Sequence, residues 1–363
     1  MRPNFLLLFL TVCFSPLLSH AQTSPQRNYP APVEGDYVIS NFHFHSGETL
    51  PELKMHYRTI GTLQRDASGA ARNAILIGHG TGGAGTQFLS PQFGSVLFGP
   101  GQLLDATKYY IILPDGIGHG GSSKPSDGLH AKFPHYTYDD MVAALYEVLM
   151  KKLGVNHLRL VMGTSMGGMQ TWVWGETYPD FMDALMPLAS NPVEIAGRNR
   201  IWRRMAMDAI HDDAEWQGGE YKTQPMRALI AAENLLLLAG SAPLFWQKQA
   251  PTRDAADKFY ADRLKAAVAR LDANDLLYQL DASREYNPAP KLETIKAQLV
   301  AIDSADDFIN PPELGMIERE IKRVKRGRFI MIPISDQTRG HGTHTIAAIW
   351  QGYLKELLAE SKR

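Results

Sequence analysis

The stretch LRLVMGTSMGG, residues 158–168, decides the fold class, because it joins an apolar run to a G-x-S-x-G motif. Leu158–Met162 is short and apolar apart from Arg159, which is typical of a strand buried on both faces. Ser165 then stands on a sharp turn between this strand and a helical pattern, where the motif pushes the serine hydroxyl above the sheet edge. Gly163 and Gly167 let strand and helix approach each other. Ser165 is therefore the candidate nucleophile.

Further apolar runs along the chain predict the rest of a sheet. Continuous runs of this length fit parallel strands that helices cover on both faces. Tyr37–His45 and Leu53–Thr59 alternate apolar and polar residues instead, which predicts an antiparallel pair with one wet face. A helix is predicted over Tyr138–Leu153, with Thr137 and Asp140 as its capping box. Strands that alternate with helices predict an α/β fold with a mostly parallel sheet. The predicted buried strands are Ala74–Ile77, Tyr109–Leu113, Leu158–Met162, Ala184–Leu188, Gln298–Ile302 and Phe329–Ile332.

The amino-terminal segment has the composition of a targeting sequence. Residues 1–21 contain one positive charge, an apolar run of about 14 residues and small residues before a cleavage site at Ala21, which predicts a signal peptide. The run is shorter than the ~20 residues that span a bilayer. We expect cleavage after Ala21, no stable membrane association afterwards, and a periplasmic or secreted protein.

The strand pattern also stops between residues 191 and 290. Helical patterns over Ile195–His211, Pro225–Ala239 and Asp254–Tyr278 fill this segment. A segment of this length is too long for a loop. We expect a helical cap over residues 191–290, inserted into an α/β core formed by residues 22–190 and 291–363.

A serine nucleophile needs a base and an orienting acid, and in this arrangement the chain order is serine, acid, histidine. His341 lies between glycines in a loop after the last predicted strand, and we prefer it to His344, which we expect to begin the final helix. For the acid we favour Asp307 on the loop after Gln298–Ile302, with Asp306 as the next choice. Asp303 directly follows that strand and is therefore the weakest of the three.

The oxyanion of an acyl-transfer reaction needs two N–H donors. Met166, the residue after the candidate nucleophile, supplies one of them. The glycine-rich loop after Ala74–Ile77 is expected to supply the other, from Thr81 or, as the second choice, Gly82. The histidine in that loop, His79, is expected to be structural.

The composition excludes several classes of protein and site. Lys and Arg number 37 against 38 Asp and Glu, so the net charge of -1 shows no footprint for nucleic acid. The single cysteine excludes a disulfide framework and a cysteine-based zinc site. We expect no metal site.

Several motifs together resemble the homoserine O-acetyltransferase-like group of the α/β hydrolases. They include Ser165–Gln170, the Tyr178–Asp180 tripeptide, the Pro311-Pro312 pair and Gly340-His341. The resemblance covers nearly the whole chain after the signal peptide and implies the α/β-hydrolase fold. It also implies that the acid is Asp307, four positions before the proline pair, and that the base is His341.

Two positions depart from the pattern of that group. The acetyltransferases carry an aspartate directly after the catalytic histidine, where it helps to hold the amino group of homoserine, and this chain has Gly342 there. The residue before the nucleophile is Thr164, where the group usually has glycine.

We therefore expect an exported serine hydrolase that acts on a small acyl compound through an acyl-serine intermediate. The alternative is an O-acyltransferase of the homoserine O-acetyltransferase type that uses the same triad, and a non-catalytic binding protein is a third hypothesis. No cofactor is expected, and acyl-CoA enters only if the protein is a transferase. The sequence leaves the oligomeric state open and is compatible with a homodimer.

Overall fold

The computed structural model describes residues 27–361 and contains one eight-stranded sheet in this range. The strand order is β1-β2-β4-β3-β5-β6-β7-β8, with β1, β2 and β4 joined antiparallel and the remaining pairs parallel. The fold is that of an α/β hydrolase, as the sequence predicts. The strands are β1 (Val33–His43), β2 (Thr49–Ile60), β3 (Ala74–Gly78), β4 (Tyr110–Pro114), β5 (Leu160–Thr164), β6 (Ala184–Leu188), β7 (Gln298–Ser304) and β8 (Gly327–Ile332).

All eight predicted strands are confirmed, with small shifts at their ends. The strand β6 has the predicted bounds, whereas β5 begins at Leu160 because Leu158 forms an isolated bridge with Met182. Every residue of β5 and β6 is buried, since apolar clusters cover both faces of the sheet. Their continuous apolar sequence follows from this double burial.

Ten α-helices surround the sheet within the described range. Thr137 caps the second helix by accepting a hydrogen bond from the Asp140 N–H, and the reciprocal bond completes the predicted capping box. The α-helix ends at Glu147, earlier than predicted, because Val148–Lys152 continues as a wider π-turn. The helices are α1 (Gly94–Leu97), α2 (Tyr138–Glu147), α3 (Met166–Thr177), α4 (Gly197–His211), α5 (Met226–Ala239), α6 (Pro243–Gln249), α7 (Arg253–Val268), α8 (Ala273–Asp281), α9 (Met316–Glu320) and α10 (Ala347–Glu360).

The segment between β6 and β7 contains the five helices α4 to α8 and no strand. The prediction of a single helix over Asp254–Tyr278 is wrong, because α7 ends at Val268 and a new helix, α8, begins at Ala273. Asp272 causes the restart: its backbone is extended and its carboxylate accepts from the Asp275 N–H at 3.1 Å. The predicted signal peptide lies outside the described residues. Within residues 27–361 no single helix is long and apolar enough to cross a membrane, although α5 and α6 meet that test together across a bend of 110°.

Candidate active site

Ser165 occupies the turn between β5 and α3 in a strained conformation, with φ 55° and ψ −112°. A non-glycine residue with positive φ is uncommon and marks a turn held by its surroundings. The glycines around it have no room for a side chain, since a Cβ at Gly167 would lie 2.0 Å from the Gly78 carbonyl oxygen. A Cβ at Gly163 would lie 2.2 Å from the Gly167 oxygen. Strand and helix therefore close tightly enough to present the serine hydroxyl at the sheet edge.

The structure brings Ser165, His341 and Asp307 into one hydrogen-bonded line. His341 Nε2 lies 2.8 Å from Ser165 Oγ, and His341 Nδ1 lies 2.7 Å from Asp307 Oδ2. Asp307 also accepts from the N–H groups of Ile309 and Asn310, at 2.7 and 3.1 Å. The imidazole can therefore accept the hydroxyl proton at Nε2 while Nδ1–H donates to a fixed carboxylate.

The competing acid, Asp306, faces away from this line. Its Oδ2 accepts from the Thr338 hydroxyl at 2.9 Å and from the Gly340 N–H at 3.0 Å, and its Oδ1 accepts from the Ser304 hydroxyl. Asp306 thus holds the loop that carries His341. Its position makes it a structural neighbour of the triad and not its acid.

The competing histidine, His344, is buried beside the triad. Its ring stands edge-on to His341 with 5.1 Å between centroids, and its Nδ1 has no hydrogen-bond partner in the part of the chain described. Burial lowers the pKa of His344 to about 3. The expectation that His344 begins the final helix is wrong, because it lies within the 3₁₀ turn Gly342–Thr345 and α10 starts at Ala347. It makes no hydrogen bond to Ser165.

The residues expected to donate to the oxyanion lie on the two segments that adjoin Ser165. Met166 is the first residue of α3, and Thr81 lies in the loop after β3, where Gly80 packs against Ser165. The N–H groups of Met166 and Thr81 donate to no other described residue. Gly82 has φ 69°, so the loop turns in a conformation that favours glycine. Thr81 and Gly82 both stay candidates for the second donor.

A buried ion pair beneath this loop was not found by sequence reasoning. Asp115, fully buried, accepts from Arg58 Nη1 and from the N–H groups of Gly85 and Gly121, each at 2.8 Å. Because Gly85 ends the loop that carries Thr81, this carboxylate fixes the loop from below. The signal in the sequence was weak, since Arg58 and Asp115 are 57 positions apart.

The chain is similar to known proteins of one fold family. Residues 73–313 match the family model described as the alpha/beta hydrolase fold. The chain belongs to the α/β hydrolases. Together with its relatives, this makes it an enzyme of hydrolase or acyltransferase type.

Among the relatives of this α/β hydrolase is a probable acyltransferase of Methanothermobacter thermautotrophicus, 32% identical over 282 residues that cover 77% of this chain and 85% of that protein. A homoserine O-acetyltransferase of Chlorobaculum parvum is 29% identical over 386 residues, covering 96% and 99%. The solved acetylester hydrolase of Corynebacterium glutamicum superposes with a TM-score of 0.79 at 23% identity, covering 90% of this chain and 96% of that one. The group expected from the sequence, the homoserine O-acetyltransferase-like α/β hydrolases, is thereby confirmed.

The electrostatics of this α/β hydrolase site separate two adjacent carboxyl groups. Burial and the neighbouring Asp307 raise the pKa of Asp303 well above its ordinary value. Burial also acts to raise the pKa of Asp307, but His341 and several hydrogen bonds outweigh it and lower that pKa to about 2. The pKa values of the two carboxyl groups are therefore shifted in opposite directions, and Asp307 is the more acidic of the pair.

Several cavities border the helical segment. One of about 450 Å³ is lined by α4 and α8, and one of about 370 Å³ is lined by Asn191 to Asn199 and by Ile309 to Met316. Ser165 lines neither of them. Across residues 27–361 no group of three or more His, Cys, Asp or Glu side chains is arranged to hold a metal ion.

Proposed function

We propose that this enzyme transfers an acyl group through an ester of Ser165. The hydrogen-bonded line from Ser165 through His341 to Asp307 carries this proposal, because it provides a nucleophile, a base and an orienting charge. Ser165 Oγ attacks the acyl carbonyl while His341 Nε2 takes its proton. The N–H groups of Met166 and Thr81 stabilise the oxyanion, and losing one such donor typically costs about 2.7–4 kcal/mol in the barrier. His341 then returns the proton to the leaving group.

An alcohol acceptor is the first candidate for the second half of the reaction. His341 would remove the proton of the acceptor hydroxyl, whose oxygen attacks the acyl-serine and releases Ser165. The named relatives that cover most of the chain are acyltransferases, and this favours transfer over the hydrolysis that the sequence suggested first. The name of the Chlorobaculum parvum relative gives homoserine as its acceptor. An acyl-CoA would serve as donor, and the chemistry needs no metal or organic cofactor.

Water is the second candidate acceptor, and one residue favours it. The position after His341 is Gly342, where the resemblance to the acetyltransferases implies an aspartate for the amino group of homoserine. No carboxylate can hold an ammonium group from that position. The acetylester hydrolase with a similar fold shows that the same architecture occurs in an esterase.

Partition of the acyl-enzyme separates these two candidates. We would measure p-nitrophenol release from p-nitrophenyl acetate with and without homoserine, and analyse the products for O-acetylhomoserine. Transfer predicts that homoserine raises turnover and appears acetylated, whereas acetate as the sole product supports hydrolysis. Ser165→Ala must abolish both signals. Turnover that survives in Ser165→Ala would overturn the acyl-serine proposal itself.

Export and a homodimeric state belong to the same proposal. The export expected from residues 1–21 supports the hydrolase candidate, because acyl-CoA occurs in the cytoplasm and an exported enzyme would not meet this donor. Amino-terminal sequencing of the protein from its native cell would show cleavage after Ala21 or its absence. Light scattering of the purified protein would give the oligomeric state.

A further inference from the structure

The cavity of about 450 Å³ on the helical segment lies apart from the triad. Its walls come from α4, from α8, from the turn Ala214–Gly219 and from the loop before α2. This volume falls within the range of small-molecule sites. Its lining includes Arg200, Arg204, Trp216, Tyr278, Asp281 and Arg284.

Positive charge in this cavity is incompletely paired. Its two carboxylates already have cationic neighbours: Asp208 contacts Arg204 at 2.6 Å, and Asp281 lies 3.8 Å from the imidazole of His135. Arg200 and Arg284 have no carboxylate within 4.0 Å among the described residues.

Arg200 shows the stronger deficit. Its Nη1 is buried and has no hydrogen-bond partner in the described part of the chain. A buried donor without an acceptor is unfavourable, and more so when the group is charged. An anion in the cavity would supply the missing acceptor, and Arg284, just after α8, lines the same cavity.

One aromatic ring gives the cavity a flat wall that is held in place. Trp216 donates its indole N–H to Asn274 at 2.9 Å, so its polar atom is used by the scaffold and what it offers a ligand is the flat surface of the ring. The faces of Tyr278 are already covered, because His135 stacks on that ring with 5.1 Å between centroids and Tyr136 with 6.2 Å.

We propose that this cavity binds a planar aromatic carboxylate, whose ring packs on Trp216 and whose carboxylate pairs with Arg200 and Arg284. The guanidinium geometry suits a carboxylate, because it can donate two parallel hydrogen bonds. The site does not depend on acyl chemistry at Ser165. The proposed site is the same for a transferase and for a hydrolase.

Calorimetric titration with indole-3-acetate tests this site, with the neutral analogue indole-3-ethanol as its matched probe. We expect saturable binding of indole-3-acetate and at least tenfold weaker binding of the alcohol, a difference of about 1.4 kcal/mol or more. Arg200→Met and Arg284→Met should each weaken indole-3-acetate binding at least tenfold. Arg227→Met is the control, because Arg227 is exposed on α5 outside this cavity, and it should bind like the wild type.

Arg284 is exposed, so its variant tests the site even if Arg200→Met fails to fold. Repeating the titration in Ser165→Ala should leave the affinity unchanged, since Ser165 does not line the cavity. Absence of saturable binding, equal affinity for acid and alcohol, or equal loss in Arg227→Met would each overturn the proposal.

Discussion

Asp303 and Asp307 lie side by side in the interior, and their environments push their pKa values in opposite directions. Burial and the charge of its neighbour raise the pKa of Asp303, while His341 holds that of Asp307 at about 2. Asp303 Oδ2 has no hydrogen-bond donor in the described part of the chain, whereas Asp307 accepts from His341 and two backbone N–H groups. The surroundings thus favour the neutral form of Asp303 and the charged form of Asp307, whose charge orients the base.

This division of charge predicts different effects for the two amide variants. Asp307→Asn removes the negative charge beside His341 and should lower kcat by about 10⁴-fold, as expected for the acid of such a triad. Asp303→Asn replaces a neutral acid by a neutral amide, and kcat should fall by less than about tenfold. Steady-state hydrolysis of p-nitrophenyl acetate measures both. Equal losses would mean that Asp303 shares the charge.

The raised pKa of Asp303 also predicts a pH-dependent stability. In the unfolded chain this carboxyl ionises near its ordinary pKa of 3.8, while the folded protein keeps the proton. The unfolded state therefore binds fewer protons above that pH, and wild-type stability falls as the pH rises towards the folded pKa.

Asp303→Asn removes this loss. The variant should melt at a higher temperature than the wild type at pH 7, and the gain should shrink as the pH approaches 3.8. Thermal unfolding of both proteins between pH 4 and pH 8 tests this. A variant that is less stable than the wild type at pH 7 would show that Asp303 is ionised in the folded protein.

Two glycines in helices provide a matched test of the turn around Ser165. A Cβ at Gly167 would lie 2.0 Å from the Gly78 carbonyl oxygen, whereas Gly352 in α10 has no atom within 4 Å of such a Cβ. Gly167→Ala should destabilise the protein by about 3 kcal/mol or more, because backbone must move. Gly352→Ala should stabilise it by about 0.5–1 kcal/mol through helix propensity. Urea unfolding gives both values, and similar values for the two variants would refute the tight closure.

The two neighbouring histidines should differ sharply in function. His341→Leu removes the base and should lower kcat at least about 10³-fold. His344→Leu replaces a buried ring whose Nδ1 has no partner, so kcat should change by less than about tenfold. Comparison of kcat values for the two variants, with circular dichroism to show folding, tests the assignment. A larger loss in His344→Leu would make that residue the base.

The sequence predicts the triad because each member follows a recognisable strand. Asp307 and His341 lie on loops after β7 and β8, and the parallel sheet brings these loops to the edge where Ser165 stands. Chain order and the position after a strand are therefore sufficient to predict Ser165, Asp307 and His341 from the sequence. The oxyanion donor is different, because any residue can supply a backbone N–H, and Thr81 and Gly82 leave no side-chain signature.

Other features depend on contacts that periodicity does not encode. The apolar pattern continues across Asp272, so the break between α7 and α8 is set by a single side-chain cap. The pairing of Arg58 with Asp115 joins β2 to the loop after β4, across the sheet. The cavity on the helical segment needs the packing of α4 against α8, which the sequence does not specify.

The central claim is that Ser165 carries the acyl group. Rapid acid quenching of the enzyme with p-nitrophenyl acetate, followed by mass spectrometry of its peptides, measures this directly. We expect one acetyl group on the peptide that contains Ser165 in the wild type, and its absence in Ser165→Ala. An acetyl group on another residue, or equal labelling of Ser165→Ala, would contradict the account.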